Sequence, residues 1–186
     1  FGGIDVLVNN ASAINLSPTE QTEPKRWDLM HDINVRGTFF MSRACIPYLK
    51  KAENPHIINL SPPLQLNPEW FGKYLAYTIS KFGMSMIVLG LAEELKQYKI
   101  GVNALWPQTT IATAAVKNLL GGDFLVQRSR TPEIVAEAVF HILKRPSAEC
   151  TGNFFIDEEV LKNEGITDFT KYAVNPSQPL MKDLFI

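Results

Sequence analysis

At 186 residues with 46% hydrophobic content, the chain is long enough to bury one sizeable core, and two domains would be cramped. Its 18 basic and 19 acidic residues leave a net charge of −1 with no block of one sign, which argues against nucleic acid and anionic membranes as partners. Cys45 and Cys150 are too few and too far apart for a disulfide framework, and His31, His56 and His141 do not cluster, so no metal site is expected. Apolar runs such as residues 86–92 fall well short of a membrane span, and no signal-peptide pattern is present. Phe1 stands directly before a strand-like run, and the polypeptide is expected to be part of a longer one.

Residues 4–9, IDVLVN, form a short apolar run ending in Asn9-Asn10-Ala11-Ser12, the pattern of a buried strand and the loop after it. Thr22 is the expected N-cap of a long helix reaching residue 50, with Glu23 and Pro24 in its first turn. Asn34 and Gly37 are weak helix formers in its middle and predict a local irregularity there. Residues 56–61, HIINLS, read as a second buried strand cut off by Pro62-Pro63, and residues 62–73, with three prolines, as mostly irregular. A helix over residues 74–98 follows, with Leu75, Ile79, Phe82, Met86 and Leu89 on one stripe.

Residues 100–106 are the third strand, stopped by Pro107. Residues 108–130 are expected to be a mobile connection carrying a short helix. Thr131-Pro132-Glu133 opens the next helix, with Thr131 as its cap. A fourth strand covers residues 154–157, and the tail beyond, with Pro176 and Pro179, reads as extended or linker-like. Continuous apolar strands alternating with helices imply an α/β fold with a parallel sheet covered by helices. The expected architecture is the C-terminal part of a doubly wound, Rossmann-type domain over residues 1–157. Residues 158–186 are either an extension of that domain or a linker.

The residues that bear chemistry centre on Tyr77 and Lys81, which lie four apart and so share one helix face. A phenol with an unperturbed pKa of about 10 is a poor acid or base near neutrality, and an adjacent cation favours its ionised form. An ordinary exposed Tyr and Lys would satisfy the same spacing. Four features do, however, fall in order: Asn9-Asn10-Ala11 after a strand, Asn34 inside a helix, Ser61 at a strand end, and Tyr77-x-x-x-Lys81. In a doubly wound sheet the carboxyl ends of the strands line one crevice, where such residues converge.

This ordered set resembles the short-chain dehydrogenase/reductase family across nearly the whole chain. The runs SPPLQLNPEW, AYTISKFGMSM, NALWP and TGNFFIDE narrow the likeness to one branch of it. The resemblance implies an NAD(P)-dependent oxidoreductase that moves a hydride between the nicotinamide and a carbonyl or alcohol, with NADP expected and NAD left open. Tyr77 would be the general acid/base, Lys81 would hold the nicotinamide ribose, and Asn34 would keep a water in a proton relay. Asn34 has a structural alternative as well, satisfying carbonyls at the helix irregularity. Asn9 and Ala11 would lie on the adenosine ribose side, with Asn9 also bracing the sheet. Pro107, Ile111 and Thr113 would contact the carboxamide and phosphates. The family's long-helix pair, here residues 22–50 and 74–98, would assemble a homodimer or homotetramer. The branch suggests peroxisome or mitochondrion.

Three departures stand out. The usual Asn-x-Ser-Ser is Asn59-Leu60-Ser61-Pro62, so only Ser61 offers a hydroxyl for the substrate oxygen, with a strand-end turn residue as its alternative. The usual Pro-Gly is Pro107-Gln108. The glycine-rich turn that cradles a pyrophosphate is absent, because Gly2-Gly3 opens no helix. These residues alone are therefore expected neither to bind cofactor tightly nor to turn over. Leu64, Leu66, Trp70, Phe71, Ile111, Leu119, Leu120 and Phe124 would line an apolar pocket for a lipid-like substrate, or else serve as core or subunit contacts. Two readings compete with the enzyme: a dinucleotide- or lipid-binding module that has lost turnover, favoured by Pro62, and a structural fragment that assembles through its long helices.

Overall fold

A computed structural model describes residues 2–186. The strands are β1 (Val6–Asn9), β2 (His56–Leu60), β3 (Gly101–Trp106) and β4 (Phe154–Ile156), in the sheet order β1-β2-β3-β4. β1 and β2 run parallel, with Val6 opposite His56 and Asn9 opposite Asn59. The helices are α1 (Pro24–Met30), α2 (Thr38–Leu49), α3 (Pro68–Lys73), α4 (Leu75–Leu95), α5 (Gly122–Val126), α6 (Glu133–Leu143) and α7 (Asp157–Asn163). The architecture is α/β with a parallel sheet and flanking helices, as the alternation of strands and helices implies. By internal contacts the chain forms two units, Phe1–Ala104 with Arg145–Phe154, and Leu105–Lys144 with Phe155–Ile186.

In the first unit, β2 is almost wholly buried, as its unbroken apolar run predicts. β1 is not: Val6 and Val8 are 37% and 42% exposed. Among the described residues β1 pairs with β2 alone. α1 and α2 join through a π-helical segment, His31–Gly37, at the site where Asn34 and Gly37 predict an irregularity. The cap of α1 is Glu23 rather than Thr22; Thr22 instead closes a 3-10 turn, Thr19–Gln21, and its hydroxyl donates to the Pro18 carbonyl. Residues 62–73 are not wholly irregular. Asn67 caps α3 by accepting from the Glu69 N–H at 3.0 Å, and Pro68 takes the first helical position, where no N–H is needed.

α4 corrects the expected stripe. Phe82 is buried, but Ile79, Met86 and Leu89 are exposed, Met86 by 62%. The helix is apolar on several faces, so hydrophobic spacing alone does not select the inner one. The buried face instead carries Ala76, Tyr77, Ser80, Lys81, Met84, Ser85, Val88, Leu91, Ala92 and Leu95. Its apolar half packs with Cys45, Leu49, Ile57, Ile100, Val102 and Ala104 in the core. Together with its 3-10 extension, the helix is long and apolar enough to cross a membrane by length and composition, yet most of the stretch is buried inside the fold. Gly83 allows α4 to lie against the π segment, since an added Cβ would fall 2.8 Å from a methyl of Val35.

In the second unit, residues 109–112 are more regular than expected. The Thr110 N–H donates to the Met181 carbonyl at 2.9 Å, the Arg130 N–H to Thr110 at 2.9 Å and the Ala112 N–H to Arg130 at 2.8 Å. α6 starts one residue later than predicted, with Pro132 as its cap, and buries Ile134, Ala138 and Ile142. It packs against α7, and α7 overturns the reading of the tail as extended or linker-like. Asp157, Glu158 and Glu159 fill the first turn of α7, a start signal suited to a helix dipole. Further on, Tyr172 and Phe185 are buried, and the Trp106 indole N–H donates to the Leu184 carbonyl at 2.8 Å.

Candidate active site

In the first unit, the loop after β1, the end of β2, the π segment and α4 carry Asn9, Asn34, Ser61, Tyr77 and Lys81, and hydrogen bonds tie these segments to one another. The Asn9 amide donates to Asn59 Oδ1 at 2.8 Å and to Ser42 Oγ at 3.1 Å. It therefore ties β1 to β2 and α2, the bracing role expected of it. Ala11 is exposed in the loop that follows. Two residues on, Ala13 forms a closed pair with Asn34: its N–H donates to Asn34 Oδ1 at 2.8 Å, and Asn34 Nδ2 returns a bond to its carbonyl at 2.9 Å.

Asn34 Nδ2 also donates to Ser80 Oγ at 3.0 Å, and Ser80 Oγ donates to the Tyr77 carbonyl at 2.8 Å. One buried amide thus links the loop after β1 to the helical turn that carries Tyr77. Both amide donors are spent on these bonds, so Asn34 has a structural role, but it ties the Ala13 loop to Ser80 rather than satisfying carbonyls of the helix irregularity.

Tyr77 and Lys81 are 5% and 2% exposed, which removes the reading of an ordinary exposed pair. Burying an ammonium is costly unless its donors are used. The Lys81 ammonium donates to the Leu60 carbonyl at 2.7 Å, with Ser12 Oγ at 3.4 Å and Met84 Sδ at 3.5 Å. The cation therefore sits against the last residue of β2 and the loop beyond β1. Ser85 Oγ donates to the Pro62 carbonyl at 2.7 Å and fixes the chain just past that strand. Between them lies Ser61, fully buried, with an Oγ that has no hydrogen-bond partner. Such an atom forfeits roughly 1–3 kcal/mol.

Pro107, Ile111 and Thr113 belong to the second unit. Pro107 is buried, Ile111 half-buried and Thr113 exposed, with the Thr113 hydroxyl accepting from the Val116 N–H. Asp157 also lies in this unit and was not singled out in the sequence. Its Oδ1 accepts from the Gln108 N–H at 2.8 Å. Burial pushes its carboxyl up to about 6, against the pull of the bonds from Gln108 and Glu158 and of the Arg130 charge.

Sequence reasoning also passed over Ser12, Ser80, Ser85 and Asn59, all of which touch the site residues or their supports. Ser80 and Ser85 flank Lys81 at spacings that keep them on the inner face, but hydroxyls carry no weight in a hydrophobic pattern. Of the residues expected to form an apolar pocket, Leu66, Leu119 and Phe124 are largely exposed. A cleft of about 330 Å³ in the first unit is lined instead by Thr19, Thr22, Pro24, Trp27, Asp28, Leu75 and Ala76.

A family model described as short chain dehydrogenase matches residues 1–121. The whole chain is 58% identical to hydroxysteroid dehydrogenase-like protein 2 of Danio rerio and 55% identical to that of Homo sapiens, covering 44% of each. It therefore spans less than half the length of these relatives. A dehydrogenase from Xanthomonas campestris superposes on all of the chain with a TM-score of 0.95 at 50% identity, and 68% of that protein is covered. A short chain dehydrogenase from Mycobacterium thermoresistibile gives 0.91 at 50% identity, with 65% of it covered. The ketoreductase LanV with bound NADP, at 20% identity and a TM-score of 0.68, shares the fold over 83% of this chain and 61% of its own.

Proposed function

The chain belongs to the short-chain dehydrogenase family, and from that premise we propose that it supplies the catalytic half of an NADP-dependent oxidoreductase acting on a carbonyl/alcohol pair of a lipid-like substrate. The observation that carries the reading is the buried Tyr77–Lys81 pair, whose ammonium lies 2.7 Å from the Leu60 carbonyl, one residue before the unpartnered Ser61 hydroxyl. The bound nicotinamide would supply or accept the hydride. Tyr77 gives its proton to the carbonyl oxygen in reduction and removes it from the alcohol in oxidation. Lys81 holds the ribose hydroxyls and favours the ionised phenol. Ser61 donates to the substrate oxygen, the partner its buried Oγ lacks.

Within the first unit, the buried Lys81 ammonium and the unpartnered Ser61 hydroxyl support binding of the nicotinamide end of such a cofactor. Asn9 and Ala11 serve the adenosine ribose side, and Pro107, Ile111 and Thr113 the carboxamide and phosphates. Asn34 orders a relay water, and because both its amide donors are committed, that water donates to Asn34 rather than accepting from it. No glycine-rich turn lies among these residues, so we assign tight pyrophosphate binding to sequence outside them and expect the 186-residue piece alone to be inactive. The word hydroxysteroid in the relatives' name supports a lipid-like alcohol, and the branch resemblance supports NADP and a peroxisomal or mitochondrial location. The exposed apolar residues Phe39, Phe40 and Met41 on α2, and Met86 and Leu89 on α4, support a homodimer or homotetramer built on these helices.

The test uses the protein at its full natural length. NADPH and NADH consumption is followed with steroid, fatty-aldehyde and 3-keto-acyl substrates for wild type, Tyr77→Phe and Ser61→Ala. Loss of the acid/base group should lower turnover by roughly 10²–10⁴-fold. Pro62, which offers no hydroxyl beside Ser61, favours the second reading, a binding module without turnover. Cofactor binding with no reduction of any substrate, and no effect of Tyr77→Phe, would establish that module instead.

A further inference from the structure

Asp157 is fully buried at the start of α7, and its two oxygens are used very differently. Oδ1 accepts from the Gln108 N–H at 2.8 Å and from the Glu158 N–H at 2.6 Å. Oδ2 is buried without a partner. Neutralising nearby cations is not its task, because Glu158 does that: its carboxylate takes Arg130 Nη1 at 2.6 Å and Lys162 Nζ at 2.6 Å. Negative charge for the helix dipole is already supplied by the partly or fully exposed Glu158 and Glu159. What Asp157 alone contributes is a bond to a backbone N–H 49 residues away in sequence.

That N–H belongs to the first residue beyond Pro107, where β3 has ended and the Pro-Gly of the family is replaced by Pro-Gln. Its neighbours are held by backbone bonds: the Asp183 N–H reaches the Gln108 carbonyl, and Thr110 is paired to Met181 and Arg130. The Gln108 N–H is held by the Asp157 side chain. Gln108 is half-buried, and a backbone donor shielded from water that loses its acceptor costs up to about as much as a lost hydrogen bond, which here would let the turn relax.

We propose that Asp157 is a positioning residue for the cofactor loop, its Oδ1 fixing the Pro107-Gln108 turn and through it the placement of residues 111–113. The inference rests on the cofactor reading of that loop. Asp157→Asn keeps an acceptor at Oδ1, whereas Asp157→Ala removes it. In the full-length protein, amide hydrogen exchange should show the wild-type Gln108 N–H protected to the level of the β3 amides. Asp157→Ala should speed exchange at Gln108 and weaken NADPH binding each by about tenfold, the loss of one charge-assisted hydrogen bond. Asp157→Asn should stay within about threefold of wild type in both.

A wild-type Gln108 amide that exchanges like open loop overturns the proposal. So does NADPH affinity unchanged in Asp157→Ala, or weakened in Asp157→Asn as much as in Asp157→Ala. If Asp157→Ala does not fold, wild-type protection and the Asp157→Asn affinity still decide. A wild type that binds neither NADPH nor NADH refutes the cofactor reading and the positioning role with it. In that case a protected Gln108 amide would show that the bond itself survives.

Discussion

Replacing Asp157 by Asn should make the protein progressively more stable relative to wild type as pH rises from about 4 to 6, with the difference levelling off above 7. Burial raises the Asp157 carboxyl to about 6, whereas an unfolded carboxyl titrates near its ordinary value of 3.8. Below the lower value both states are protonated and no penalty exists. Between the two, the native state holds a proton that the unfolded state has released, so stability falls as pH rises, and above the upper value the penalty is complete. A difference of about two pKa units at about 1.4 kcal/mol each gives roughly 3 kcal/mol as the full span. Asn does not titrate, so the difference between the two proteins isolates this one group. Any fixed cost of placing the Asn amide nitrogen at the unpartnered oxygen shifts all points equally. Urea denaturation at pH 4, 5, 6 and 7, with m-values checked for constancy, measures the span. A difference that stays flat, or that moves in favour of wild type with rising pH, would refute the reasoning. Glu133, Glu137 and Asp168 run the other way: hydrogen bonds from Thr131, Tyr172 and Thr170 hold them below their usual range, and their contribution is lost as pH falls. Because both proteins share these groups, they cancel.

Gly83→Ala drives a methyl to within 2.8 Å of Val35 and should destabilise by about 1–3 kcal/mol, read as a lowered midpoint in urea. An unchanged midpoint would mean that α4 and the π segment part without cost. Asn34→Ala removes three hydrogen bonds that tie Ala13 and Ser80 together and should cost about 2–4 kcal/mol while making residues 11–13 more sensitive to protease. Lys81→Met retains the bulk and removes the charge, and should raise the apparent pKa of turnover toward that of free tyrosine; an unshifted pH profile would leave Lys81 with ribose binding alone. Met86→Glu places a charge in the exposed stripe of α4 and should halve the mass seen by light scattering if that helix is the subunit contact; an unchanged mass would rule the contact out.

The alternation of short apolar runs with helical stretches makes the α/β sheet legible in the sequence. Asn34 and Gly37 even marked the π segment, because two weak helix formers in a long helix lower the cost of departing from α geometry. Tyr77 and Lys81 were found because spacing by four defines a shared face whatever that face touches. What spacing does not encode is which face turns inward when several are apolar. On α4 the inner face is chosen by Ser80, Lys81 and Ser85 finding partners in Asn34, Leu60 and Pro62, and each partner lies on a segment that only the fold brings near.

The tail is hard to read from sequence for a related reason. Val160, Leu161, Tyr172 and Phe185 bury their side chains at irregular spacings between polar stretches and prolines, so no period betrays them. Asp157 is the sharpest case. In sequence it is one acid among three at a helix start, and hydropathy places it on the surface. Its burial follows from a single acceptor oxygen reaching the Gln108 N–H, in a turn that proline and the end of β3 leave without a ladder partner. A carboxylate is kept inside at the expense of charge burial because the alternative is an unpaired backbone donor beside Pro107. That exchange is visible only when residues 108 and 157 are seen together.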